Sequence, residues 1–138
     1  MTVLVLDASM TITWFFEDEG TTATDSVMTR VVGEGALVPS LWRLEVANVF
    51  RNAVRRGRCD NAFADEALSR LDRLMIEIDD QTDRQAWRMI RILSQEENLT
   101  MYDAAYLELA LRRQLPLATC DRDLAAAARR RSIATLTA

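Results

Sequence analysis

Short apolar runs ending in polar turns, with stretches of helical periodicity between them, most limit the folds open to this chain. The first run, residues 2–6, stops at Asp7. Others cover 36–38 before Pro39-Ser40, 76–78, 115–119 and 132–136. Helical spacing marks 8–17, 22–33, 41–56, 60–75, 82–97, 101–113 and 121–131,. Strands alternating with helices predict an α/β fold with a parallel sheet covered on both faces. Four Gly and two Pro leave few breakers, so the loops are expected to be short,. The 138 residues make one domain, 1–138,. A chain of this size buries about two-thirds of its unfolded surface and needs no disulfide or structural metal to fold.

Two absences exclude much chemistry. The chain has no His, and all 17 basic residues are Arg. Without His there is no Ser-His-Asp or Cys-His nucleophile, no imidazole zinc site and no His-held haem. Without Lys there is no Walker-type phosphate loop and no Schiff base. Cys59 and Cys120 are too few for a zinc ribbon or a disulfide framework and read as idle thiols, which makes a reducing cytoplasm the default compartment,. No apolar run is long enough to span a membrane, and no signal peptide is visible,. An enzyme of this composition must work through carboxylates and a divalent cation, and oxygen ligands favour Mg2+ or Mn2+.

Four acids stand where such a site could form. Asp7 ends the first strand, and Asp121 lies just past a later one. Open α/β sheets bind ligands outside the carboxyl ends of their strands. Each aspartate could instead be a helix N-cap. Glu45 interrupts an apolar helix and shares an arc with Leu41, Asn48 and Asn52, beside the stripe of Val46, Val49, Phe50 and Ala53. A carboxylate there needs a polar partner, either a site or an arginine such as Arg43 or Arg55. Asp103 lies in a first helical turn, where Thr100 and Asp103 also resemble a capping box,.

The spacing of four blocks is more specific than any one residue. They are Asp7-Ala8-Ser9; Pro39 to Asn48 around Glu45; Leu99-Thr100-Met101-Tyr102-Asp103-Ala104-Ala105-Tyr106; and Leu117-Ala118-Thr119-Cys120-Asp121-Arg122-Asp123-Leu124. In this order they resemble the PIN-domain nucleases, and within them the VapC toxins of toxin–antitoxin pairs, over nearly the whole chain. The resemblance implies a three-layer α/β/α fold with a five-stranded parallel sheet of order 3-2-1-4-5. It places the family's acidic quartet on Asp7, Glu45, Asp103 and Asp121. Ser9 and Thr119 match the accompanying hydroxyls and Asp123 a further polar position; Asn48, one turn from Glu45, is expected to line the pocket. It also implies a Mg2+-dependent endoribonuclease leaving 5′-phosphate and 3′-hydroxyl ends, a homodimer, and inhibition by a VapB-like antitoxin. A catalytically silent PIN-like module for dimerisation or antitoxin binding is the alternative. A haloacid-dehalogenase-type phosphatase fits poorly, because Ser9 stands where that class needs a second Asp and the required Lys is missing.

In this scheme Asp7 and Asp103 bind the cation directly, while Glu45 and Asp121 act through water or a second ion. Two like charges 4 Å apart repel by about 4 kcal/mol at an effective dielectric of 20, so at least one acid should hold its proton when no cation is bound. The net charge of −4 becomes neutral once four carboxylates are assigned to a cation. RNA contact falls to Arg51, Arg55 and Arg56, whereas Arg112-Arg113 and Arg129-Arg130-Arg131 suit helix C-termini. Trp14, Phe15, Trp42 and Trp87 are expected in the core or at a dimer contact, and Glu17-Asp18-Glu19 in a solvated loop.

Overall fold

The computed structural model describes residues 3–138. Its sheet has five parallel strands in the order β3-β2-β1-β4-β5. These are β1 (Val5–Leu6), β2 (Ala36–Val38), β3 (Ile76–Ile78), β4 (Leu117–Ala118) and β5 (Thr135–Leu136). The order is the one implied by the family resemblance. Val5 sits in register with both Leu37 and Leu117. The three central strands are wholly buried and apolar, as a strand covered on both faces must be,. The edges β3 and β5 are partly exposed.

Among the described residues, eight α-helices accompany the sheet: α1 (Ala8–Ile12), α2 (Thr22–Glu34), α3 (Trp42–Arg55), α4 (Asn61–Asp72), α5 (Thr82–Gln85), α6 (Arg91–Glu97), α7 (Met101–Arg113) and α8 (Arg122–Arg130). Their starts follow local chemistry. Thr21 and Thr24 form a reciprocal capping box, and Asp60 caps α4 through the Phe63 N–H,. At the end of α2, Gly35 has φ +81°, and a Cβ there would come within 2.7 Å of the Met75 carbonyl oxygen. Only glycine fits that entry into β2. Helix α7 is buried from Ala104 through Ala110 and packs on β1 and β4. Its buried stretch is apolar except for Tyr106 and Glu108, each of which finds a polar partner. Helix α1 packs on α3, and a hydrogen-bond relay joins them: Trp42 Nε1 donates to Thr11 Oγ1 at 3.3 Å, and that hydroxyl donates to the Asp7 carbonyl at 3.1 Å.

Several expected boundaries change. The first strand is shorter than 2–6, and residue 2 lies outside the described residues. The strand expected over 115–119 shrinks to two residues, because Pro116 has no N–H and offers only its carbonyl, to Val5 at 2.8 Å,. Ser132 has φ +62°, which delays β5 to Thr135. The helix expected over 8–17 ends at Ile12. The helix expected over 82–97 is interrupted by a π-type turn over Ala86–Ile90, with Arg88 at φ −111° and ψ −109°. This turn leaves Ile90 and Leu93 buried but Trp87 87% exposed. Trp87 is therefore not a core residue. Trp42 is buried, Trp14 is half-buried with its Nε1 donating to the Thr24 carbonyl, and Phe15 meets Phe50 edge-on. In the 17–19 loop Glu17 and Asp18 are exposed, as expected of a solvated run, and Arg58 pairs with Asp18 and Glu19 while lying over the Phe16 ring.

A buried ion network ties the β3 edge to α7. Arg112 makes two hydrogen bonds to Asp79, at 3.0 and 2.8 Å, and two to Glu108, at 2.8 and 3.1 Å. Thr82 also donates to Asp79, and its oxygen accepts the Ser40 N–H just before α3. Arg112 holds the Asp79 carboxyl below the usual carboxylate range against the effect of burial. Both acids are buried, so removing their cation strands two charges. Arg112→Ala is expected to lower stability in urea unfolding by about 3 kcal/mol or more. Adding Asp79→Asn and Glu108→Gln should recover much of that loss. A single variant as stable as the parent would show that the network carries no such role.

Candidate active site

The site is built at the carboxyl ends of β1 and β4. Asp7 follows β1 directly and occupies the N-cap position of α1, yet its side chain makes no capping bond. Its Oδ2 instead accepts hydrogen bonds from Ser9 Oγ and Thr119 Oγ1, both at 2.6 Å. Thr119 ends the β4 segment, and its hydroxyl oxygen also accepts the Asp121 N–H at 3.0 Å. Ser9 Oγ accepts the Cys120 N–H at 2.9 Å. The two hydroxyls therefore fasten the β1 and β4 ends to one carboxylate.

Asp121 caps α8 through the Leu124 N–H, at 2.9 Å from Oδ1. The capping role considered for it is thus real, and it uses one carboxylate oxygen. Asp103 lies in the first turn of α7, where Thr100 Oγ1 accepts its N–H at 3.1 Å. Glu45 is half-buried on α3, and among the described residues no arginine pairs with it. Tyr106 donates its hydroxyl proton to Glu45 Oε1 at 2.5 Å, while Arg43 pairs with Asp72 and Arg55 is exposed.

Burial and the charge of at least one neighbouring acid raise three of the four carboxyls. Burial pushes the Asp7 carboxyl up, opposed by the Ser9 and Thr119 hydroxyls and aided by the charge of Asp121. Burial raises Glu45 as well, against the Tyr106 hydrogen bond and with the charge of Asp7. Asp103 is pushed up to about 6 by burial and then by the charges of Asp7, Asp121 and Glu45. Asp103 thus keeps its proton to a higher pH than an ordinary carboxylate, as like-charge crowding requires,. Among the described residues no ion pair reaches any of the four, although arginines neutralise Asp79, Glu96, Glu97 and Glu108 elsewhere. Nor do any three acidic or thiol side chains among the described residues form a ready-made chelate. Asp103 is within electrostatic reach of the other three acids, and Asp7 within that of Asp121 and Glu45.

This donor set still fits a hard divalent cation. It offers carboxylate oxygens, no imidazole and uncompensated negative charge. Mg2+ keeps several waters and takes only one or two carboxylates directly, so a loose ring of acids suits it better than a tight cage.

Ser9 and Thr119 belong to the acidic centre through Asp7. Asn48 is exposed one turn beyond Glu45, and Asp123 is exposed in the first turn of α8. Arg51, Arg55 and Arg56 are exposed, and among the described residues they form no ion pair. Arg112, Arg130 and Arg131 are committed to acids. Tyr106 is the residue that sequence reasoning did not assign. Its signal is a tyrosine one helical turn after Asp103 in a run otherwise made of Ala, Leu and Glu.

Fold and site together define a doubly covered parallel α/β domain with an acidic centre at its strand ends. The PIN domain family model matches residues 4–130, and the chain belongs to that family. PIN domains are generally nucleases. Among solved structures, PAE2754 from Pyrobaculum aerophilum is 25% identical, with a TM-score of 0.72 over 99% of this chain and 92% of that one. Mycobacterium tuberculosis VapC20, described as a sarcin-ricin loop cleaving toxin, is 15% identical, with a TM-score of 0.62 over 90% of this chain and 94% of that one. Comparison with curated protein sequences gives no match.

The raised Asp103 carboxyl sets the sign of a pH effect. Its proton is held more tightly folded than unfolded, so its favourable contribution is complete below about pH 4 and is lost as pH rises through about 6,. Without added metal, Asp103→Asn should melt above the parent at pH 7.5, and the difference should vanish at pH 4. A variant that melts well below the parent at pH 7.5 would make Asp103 a structural residue.

Proposed function

We propose that this chain is a divalent-cation-dependent endoribonuclease of the VapC toxin type, acting in the cytoplasm as a homodimer and restrained by a VapB-like antitoxin. The observation that carries the reading is the set of four mutually repelling acids at the strand ends, none paired with an arginine among the described residues. Asp7 and Asp103 would hold Mg2+ or Mn2+ directly, with Glu45 and Asp121 acting through water or a second ion. When bound, the cation would acidify a water and offset the charge that develops on a phosphodiester.

The chain's own groups have separable tasks. Ser9 and Thr119 fix Asp7 by the same oxygen, Oδ2, leaving Oδ1 free of both hydroxyls. Asp121 spends Oδ1 on its helix cap, which favours an indirect role for its remaining oxygen. Asn48 and Asp123 would border the pocket. Arg51, Arg55 and Arg56 would contact RNA phosphates, since α3 carries both Glu45 and the first two of them. Four clustered acids also explain how an antitoxin could block the site, because an inserted basic side chain would replace the cation.

The lack of a ready-made chelate is the one feature that favours a catalytically silent module. Retained Mg2+ waters account for it without giving up hydrolysis.

The test is cleavage of total RNA with Mg2+, with EDTA, and with Asp7→Asn or Asp103→Asn. Cleavage should occur only in the first case and should leave 5′-phosphate ends. Activity that survives EDTA and both variants would overturn the reading. Replacing Arg51, Arg55 and Arg56 together with Gln should weaken RNA binding, and should flatten the slope of log affinity against log salt by about 2 if each contacts one phosphate. An unchanged slope would exclude these arginines from the RNA contact.

A further inference from the structure

Tyr106 is among the largest side chains in the molecule with no exposed surface. Packing alone would be served by Phe, because a buried hydroxyl costs free energy unless it finds a partner. Here the partner is Glu45, whose Oε1 accepts the hydroxyl proton at 2.5 Å across 61 positions of sequence. The phenol also lies within reach of the Asp7 charge and the Ala8 amide. Its own helix carries Asp103 one turn earlier. A single ring thus meets the surroundings of three acids that come from β1, α3 and α7.

We propose that Tyr106 is a positioning residue: its hydroxyl fixes the carboxylate of Glu45 toward the acid cluster, and cation binding there depends on that bond. The inference rests on the proposed metal-dependent reading of the same site. A glutamate on a helix has three rotatable side-chain bonds and would otherwise sample several orientations. A tyrosine has two, and both are locked here by burial. The O–H···O distance is that of a bond to an ionised acceptor. A neutral donor also orients Glu45 without cancelling its charge, as an arginine at this position would. The negative charge remains available to a cation.

The experiment is a double-mutant cycle on the full chain: the parent, Tyr106→Phe, Glu45→Ala and the pair. Phe keeps the ring and removes only the hydroxyl, so the melting temperature without metal should change by no more than a few degrees. If it falls further, Tyr106→Met takes its place in the cycle. The readouts are the Mn2+ dissociation constant, by electron paramagnetic resonance, and kcat and KM for RNA with Mg2+. Tyr106→Phe should weaken Mn2+ binding and lower kcat by about tenfold or more, the usual loss for an outer partner of a metal site, with KM for RNA unchanged. In the Glu45→Ala background it should change neither. Parent-like Mn2+ binding in Tyr106→Phe, or equal losses in both backgrounds, would overturn the inference and leave Tyr106 a packing residue. A parent protein that binds Mn2+ but cuts no RNA would overturn the nuclease reading, and the Mn2+ cycle would still decide the role of Tyr106. A parent that binds no Mn2+ would overturn both.

Discussion

Like-charge crowding at the carboxyl ends of the central strands is the constraint to which the rest of this structure answers. Asp7, Glu45, Asp103 and Asp121 come from four separated segments, and burial or mutual repulsion raises the first three. Such an arrangement opposes folding and survives only where the scaffold over-determines it. The scaffold here is a sheet whose three inner strands are wholly buried, crossed by a helix that is itself buried along most of its length. The chain could have relieved the repulsion with arginine, which it uses freely elsewhere. Instead it holds Asp7 and Glu45 with the neutral hydroxyls of Ser9, Thr119 and Tyr106. Neutral donors fix the geometry and leave the charge in place.

The arginine pairs that do form are structural. Arg112 joins the β3 edge to α7 through Asp79 and Glu108, while Arg130 and Arg131 join α8 to Glu96 and Glu97 at the end of α6. These links surround the helices that present Asp103 and Asp121. Charge in this protein is thus divided between compensated pairs, which lock helices to one another, and an uncompensated group at the strand ends.

Much of this was legible in the residues. The alternation of apolar runs and helical stretches marked all five strands, and the three inner ones read as unbroken apolar runs because both their faces are buried,. The four acids stood out by position: Asp7 and Asp121 follow parallel strands, and the family resemblance adds Glu45 and Asp103 from two helices. What stayed hidden depended on distant partners. Tyr106 received no role because periodicity reports burial, not the acceptor that a buried hydroxyl will find. Arg112 looked like a helix-end charge because Asp79 lies 33 positions away. The turn at Ala86–Ile90 carries neither Gly nor Pro, so nothing local announced that Trp87 would face outward. Asp121 was read with two roles open, and its capping bond coexists with a place near the acids because each role needs a different oxygen.

The most direct measurement is a crystal structure of the protein soaked in Mn2+, with the ion located by its anomalous scattering. The account predicts a peak among the carboxylates of Asp7, Glu45, Asp103 and Asp121, with ordered water completing its coordination. A fully loaded crystal with the ion bound elsewhere, and these side chains turned to separate partners, would contradict it.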